Sequence, residues 1–167
     1  MGGNIALEIA ARYPEVPAAI ILIDSVVFPL PGLKENVLLP LEAALRGPAY
    51  REAIRQGISG LFLPTDDQVC KARLMENAAA TPQHVALSAF QNHLSNYDSS
   101  EFAAACKVPV AYIAATVTMA DLAQFRSLCP QLVTSQVMMS GHFAPLEIPD
   151  QVNAMIERFL TINVASN

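Results

Sequence analysis

Basic residues are scarce in this sequence. Ten Lys and Arg stand against fifteen Asp and Glu in 167 residues, for a formal net charge of −5 and a pI near 5.1. A nucleic-acid surface needs a basic stripe, so that class of partner is excluded. Membrane-length hydrophobic runs are missing as well. No apolar stretch reaches the roughly 18 residues of a membrane span, and AAIILID and VPVAYIAA are only strand-sized. The opening MGGNIALEIAARYP carries a Glu and an Arg within its apolar periodicity, which is not the pattern of a secretory leader. Cysteine is limited to Cys70, Cys106 and Cys129, an odd number, far apart and without a CxxC. That excludes a disulfide framework or a zinc site and points to buried thiols in a reducing cytoplasm. No cofactor and no metal are expected. Internal repeats, low-complexity segments and flexible linkers are also absent.

Apolar residues, by contrast, are plentiful: 53% of the chain is hydrophobic and 15% charged. A chain of this length is one domain with a real core, and its spare apolar surface has to be hidden somewhere. NIALEIAARY, with Ile5, Leu7, Ile9 and Ala10, fits a mostly buried helix closed by Pro14. Residues 18–24 (AAIILID) form a short unbroken apolar run ending in an acid, the pattern of a parallel strand buried on both faces, with the strand expected over 18–23. From about residue 26 to 105 the pattern is helical and cut by prolines. Thr65 and Asp66 are cap candidates for one helix there, and Thr81, before Pro82, for another. Residues 108–114 and 132–138 read as strands around the helix MADLAQFRSLC, and DQVNAMIERFL as a final amphipathic helix. Strands alternating with helices predict an α/β fold with a short parallel sheet of about three strands, flanking helices and right-handed crossovers.

Three places carry chemistry. Met1-Gly2-Gly3 runs straight into an apolar helix, Asp24 and Ser25 close the first strand, and Ser140-Gly141-His142-Phe143 lies between the last strand and the final helix. Together with GHFAPLEIPDQVNAMIERFL, VPVAYIAA and the helical insertion, these segments resemble the C-terminal half of the α/β-hydrolases, of the esterase and haloalkane-dehalogenase-like kind. The resemblance implies that the glycine pair ends a G-x-S-x-G-G nucleophile elbow whose serine would stand one residue before Met1. Five earlier strands and half of the oxyanion hole would precede it. Residues 1–25 and 106–167 would then be a truncated α/β-hydrolase core, and residues 26–105 a helical cap-like insertion.

The resemblance also assigns roles. His142 takes the place of the catalytic base. The family's usual acid falls near Thr118 in AATVTMAD, where no carboxylate stands. Some haloalkane-dehalogenase-like members carry their acid at the end of the preceding strand instead, and Asp24 matches that place. Its role would be to hold the imidazole tautomer and stabilise the imidazolium. Ser25 is the candidate replacement nucleophile and Ser140 the alternative, unless the hydroxyl crosses a subunit interface. Asp121 is the alternative acid. Each residue has a plainer reading: Asp24 bonding the loop after its strand, Ser140 filling a tight turn, Asp121 opening a helix under its dipole. His84 and His93, nine residues apart, lack a ligand spacing on one helix face and read as surface or cap packing. Asp66-Asp67 reads as a solvated helix start, and Met138-Met139 as core filler or pocket lining.

Two functions follow. One is a hydrolase of small carboxylic esters, in which a His/Asp pair serves a non-standard or trans nucleophile in an apolar cleft. The other is a non-catalytic half-hydrolase, a remnant or binding module; a fragment of a longer enzyme would look the same. The edge of AAIILID holds no Lys or Pro to blunt it. With the apolar composition, that predicts a homodimer through the N-terminal helix and first strand; the resemblance implies a small apolar ester-like ligand.

Overall fold

The computed structural model describes residues 1–164, so the last three positions of the expected core region lie outside the described residues. At its centre is β2 (Val110–Ala114), in which every residue is buried. A strand this apolar on both faces must be covered on both. It pairs in parallel with β1 (Ile20–Ile23) on one side and β3 (Leu132–Gln136) on the other, giving the order β1-β2-β3. All three strands are shorter than the segments expected for them. After β3 the chain turns outward: Met138 and Met139 are 73% and 62% exposed, and Met139 sits at φ 60°. These methionines therefore do not fill the core.

Alternation along β2 divides the core into two layers. Val110, Tyr112 and Ala114 belong to a cluster with Leu7, Ala10, Leu22, Ala103 and Phe125. These come from α1 (Gly2–Arg12), β1, α6 (Ser100–Ala105) and α7 (Leu122–Leu128). Ile113 joins the opposite cluster, with Val137, Ala144 from α8 (Ala144–Glu147) and Val152 from α9 (Pro149–Asn163).

The first helix is amphipathic, not mostly buried. Leu7 and Ala10 face the core, while Ile5 and Ile9 are 45% and 40% exposed. Its glycine pair has a local use. A Cβ on Gly3 would lie 2.1 Å from Ser25 Oγ, so only glycine lets the helix cross this close to the end of β1.

Between β1 and β2 the chain is helical: α2 (Leu39–Leu45), α3 (Tyr50–Ser59), α4 (Gln68–Ala79) and α5 (Gln83–Phe90), with π-helical turns at Lys34–Leu38 and Gln91–Ser95. The cap of α4 is Asp67, whose side chain accepts from the Val69 and Cys70 amides. Neither Thr65 nor Asp66 takes that part. Pro82 occupies the N-cap of α5, and Thr81 makes no capping bond. Val69 is exposed, because α4 turns Cys70 and Ala79 inward instead.

Buried polar bonds join this segment to the rest. Asn4 Nδ2 donates to His93 O at 2.8 Å, and Ser99 Oγ donates to Asn4 Oδ1 at 2.9 Å. Within the segment, Glu42 accepts from Ser95 Oγ, Gln91 Nε2 and Arg46. Cys70, Cys106 and Cys129 are buried and unpaired. Among the described residues no helix is long and apolar enough to cross a membrane.

Candidate active site

The C-terminal ends of parallel strands are where an open α/β sheet presents its loops to ligands. Asp24 follows β1 directly, Ala115 follows β2, and the turn holding His142 comes after β3. Asp24 extends the ladder by one bond, its amide donating to Ile113 O at 2.8 Å. It then turns sharply, at φ 42°. Aspartate is one of the few side chains that tolerate this left-handed region, and the turn aims its carboxylate across the sheet edge.

Asp24 is buried, and its carboxylate has a partner for each oxygen. Oδ1 accepts from the Ala115 amide at 3.1 Å, and Oδ2 lies 2.9 Å from His142 Nδ1. A carboxylate only accepts, so in the neutral imidazole the pairing assigns the proton to Nδ1 and the lone pair to Nε2. Nε2 makes no protein hydrogen bond among the described residues. The His142 side chain is 31% exposed while that of Asp24 is 3% exposed. The pair is therefore buried at its acid end and open at its base end.

The open end borders a cleft of about 90 Å³ walled by Leu61, Phe62, Leu63, Val117 and Met119. Phe62 stacks on Phe143 with ring centroids 4.8 Å apart, and the His142 ring meets Phe143 edge-on. A larger cleft of about 320 Å³ opens elsewhere, beside Phe28, Leu38 and Tyr97, and contains neither Asp24 nor His142.

None of the other candidate side chains is hydrogen-bonded to this pair. Ser25 has its hydroxyl against Gly3 and its carbonyl accepting from Tyr112 Oη at 3.0 Å. Ser140 is fully buried, and its Oγ has no partner among the described residues. Its amide donates to Thr116 Oγ1, and its carbonyl accepts from the Thr116 amide, each at 3.0 Å. Neither serine is hydrogen-bonded to His142. Asp121 caps α7, Oδ1 accepting from the Gln124 amide at 2.8 Å. Thr118 Oγ1 lies 3.3 Å from Tyr112 Oη. His84 is exposed and His93 half-buried within the helical segment.

Sequence reasoning missed Asp66. It is 6% exposed, not solvated, and its Oδ2 accepts from the Leu63 and Gly141 amides at 2.7 and 3.2 Å. The acidic pair was visible in the sequence. The bond across 75 residues to Gly141 was not.

Solved structures share this arrangement of elements. The enol-lactonase from Burkholderia xenovorans LB400 superposes with a TM-score of 0.80 at 17% identity, covering 96% of this chain and 63% of its own. A thermophilic esterase from Thermogutta terrifontis gives 0.74 at 21% identity, covering 96% and 61%. MGS-M2, an alpha/beta hydrolase enzyme from a Medee basin deep-sea metagenome library, gives 0.72 at 17% identity, covering 96% and 62%. Neither a protein-family model nor a curated protein matches the chain. The fold is that of an α/β-hydrolase, and the chain spans about three fifths of the length of the structures it matches.

Proposed function

We propose that this chain carries the acid–base pair of a hydrolase acting on small carboxylic esters, with Asp24 as the orienting acid and His142 as the base. The observation that supports this most is the Asp24–His142 pair at the C-terminal edge of the sheet, with Nε2 free at an apolar cleft. In the step proposed, a hydroxyl attacks the ester carbonyl carbon while its proton passes to His142 Nε2. The buried carboxylate stabilises the imidazolium, and the proton then leaves with the alkoxide as alcohol. Water repeats the cycle on the acyl intermediate and releases the acid. The cleft of about 90 Å³ suits a short acyl group; drug-sized ligands occupy about 300–1,000 Å³.

The nucleophile is a hydroxyl outside the pair, either Ser25 after rotation away from Gly3 or a serine brought by a second copy of the chain. Residues 26–105 act as the cap over the cleft, since Leu61, Phe62 and Leu63 supply one wall. The second copy docks on α1 and β1. In support, β1 is an edge strand, and Ile5 and Ile9 stand exposed on the outer face of α1. The other reading is a binding module that keeps the pair and cleft without turnover. The lack of a hydrogen bond from Ser25 or Ser140 to His142 is what favours it. Hydrolysis of p-nitrophenyl acetate, butyrate and decanoate separates the two readings. An ester hydrolase turns over the short esters and slows with acyl length, and a Ser25→Ala change abolishes turnover if Ser25 is the nucleophile. A binding module leaves all three esters at the uncatalysed rate.

A further inference from the structure

His142 is fastened at two levels by parts of the chain that are far apart in sequence. Its side chain bonds to Asp24, on the sheet edge. Its main chain bonds to the helical segment between β1 and β2, the His142 amide donating to Leu61 O at 3.0 Å. The preceding amide, of Gly141, donates to Asp66 Oδ2 at 3.2 Å, and the same oxygen accepts from Leu63 at 2.7 Å. One residue earlier, Ser140 is tied to Thr116 on the sheet edge instead. Attachment thus changes from sheet to inserted segment between Ser140 and Gly141.

The crossing is tight. A Cβ on Gly141 would lie 2.5 Å from Leu61 O and 2.7 Å from Asp66 Oδ2, so the position accepts only glycine. Beyond His142 the contact continues, with the Asp67 amide donating to Glu147 Oε2 at 2.9 Å. Of all these bonds, only those of Asp66 combine a buried carboxylate with the residue adjoining the histidine. Bonds to an ionised acceptor are about twice as strong as neutral ones.

We propose that Asp66 is a positioning residue for His142: through the Gly141 amide it fixes the main chain of the histidine turn, so that the imidazole meets Asp24 in one tautomer. The inference rests on the reading of His142 as the base. It adds that the inserted segment controls the presentation of that base to the cleft. Asp66 touches neither substrate nor the reacting atoms.

The test needs no turnover. In the full chain labelled with ¹⁵N, imidazole spectra report the His142 tautomer, and amide exchange reports the Gly141 bond. The parent should show a single Nδ1-protonated tautomer. Asp66→Ala should average the His142 tautomers and speed exchange of the Gly141 amide by about tenfold or more, as loss of a buried bond requires. Asp66→Asn, which keeps an acceptor oxygen, should restore the parental tautomer with intermediate exchange. Asp67→Ala, which removes the α4 cap in the same segment, should lower the melting temperature without moving the His142 signals. Parental His142 signals in Asp66→Ala would overturn the proposal, and so would an Asp67→Ala change that moves them equally. If Asp66→Ala does not fold, Asp66→Asn decides: parental exchange at Gly141 overturns it. A parent lacking the Nδ1-protonated form contradicts the functional reading itself, which separates the two failures.

Discussion

Asp24 Oδ2 and His142 Nδ1 lie 2.9 Å apart across 118 residues of sequence. The fold makes this contact through parallel topology. Because β1, β2 and β3 run the same way, the residues that follow each of them gather at one edge. The left-handed turn at Asp24 and the glycine before His142 then bring the side chains to meet.

The crossing of α1 over β1 depends on Gly3. Gly3→Ala puts a Cβ 2.1 Å from Ser25 Oγ and 3.0 Å from Val27 Cγ1. It should destabilise the chain by about 1–3 kcal/mol, as overpacking does. Combining it with Ser25→Gly should recover part of that loss in a double-mutant cycle read by urea denaturation. Strictly additive effects would mean that the two side chains do not meet.

Acid should act through Glu42. The hydroxyl of Ser95, first, and then Arg46 and Gln91 hold this carboxylate below the ordinary range. A group whose folded value is depressed stabilises the fold above its unfolded value and loses that contribution as pH falls through the folded value. The melting temperatures of the parent and of Glu42→Gln should therefore differ most near neutral pH. They should converge as pH drops below the carboxylate range. A gap independent of pH would exclude the charge as its source.

The three thiols should stay silent in the native state. Cys70, Cys106 and Cys129 are 9%, 4% and 0% exposed. The contact between Cys106 and Cys129 pushes the Cys129 thiol up, with burial adding to it, and lowers that of Cys106. Access outweighs that lowered value, because a thiolate reacts only where a reagent can reach it. Ellman's reagent should label no cysteine quickly in buffer and all three in guanidinium. Fast stoichiometric labelling in buffer would contradict this packing.

The proposed dimer carries its own test. Light scattering at micromolar concentration should return about twice the 17.9 kDa of one chain, and Ile5→Asp should give insoluble or unfolded protein. An interface of ordinary size buries about 800 Å² per partner. A stable parent of single-chain mass would remove the second copy from the account, and with it the trans nucleophile.

Much of this was readable in the sequence, for definite reasons. A parallel strand buried on both faces leaves an unbroken apolar run, so β1 and β2 stood out in AAIILID and VPVAYIAA, whereas β3, with Val133 exposed, showed only as a strand-like stretch after a helix. The Gly-His loop before a proline-bounded helix marked the candidate base. What stayed hidden depends on contacts, not on pattern. Ile5 and Ile9 share the apolar periodicity of Leu7 and Ala10, yet face outward. Asp66 and Asp67 look alike in sequence; Asp67 caps a helix while Asp66 reaches a turn 75 residues away. Nothing local in the sequence announces that difference.

The central claim is that Asp24 and His142 form a working acid–base pair, and the rate of p-nitrophenyl acetate hydrolysis tests it most directly. The parent should exceed the uncatalysed rate, and His142→Ala, at an unchanged melting temperature, should lower the rate by about 10²–10⁴-fold, the usual worth of a general base. A His142→Ala chain as fast as the parent, or a parent no faster than buffer, would contradict the account.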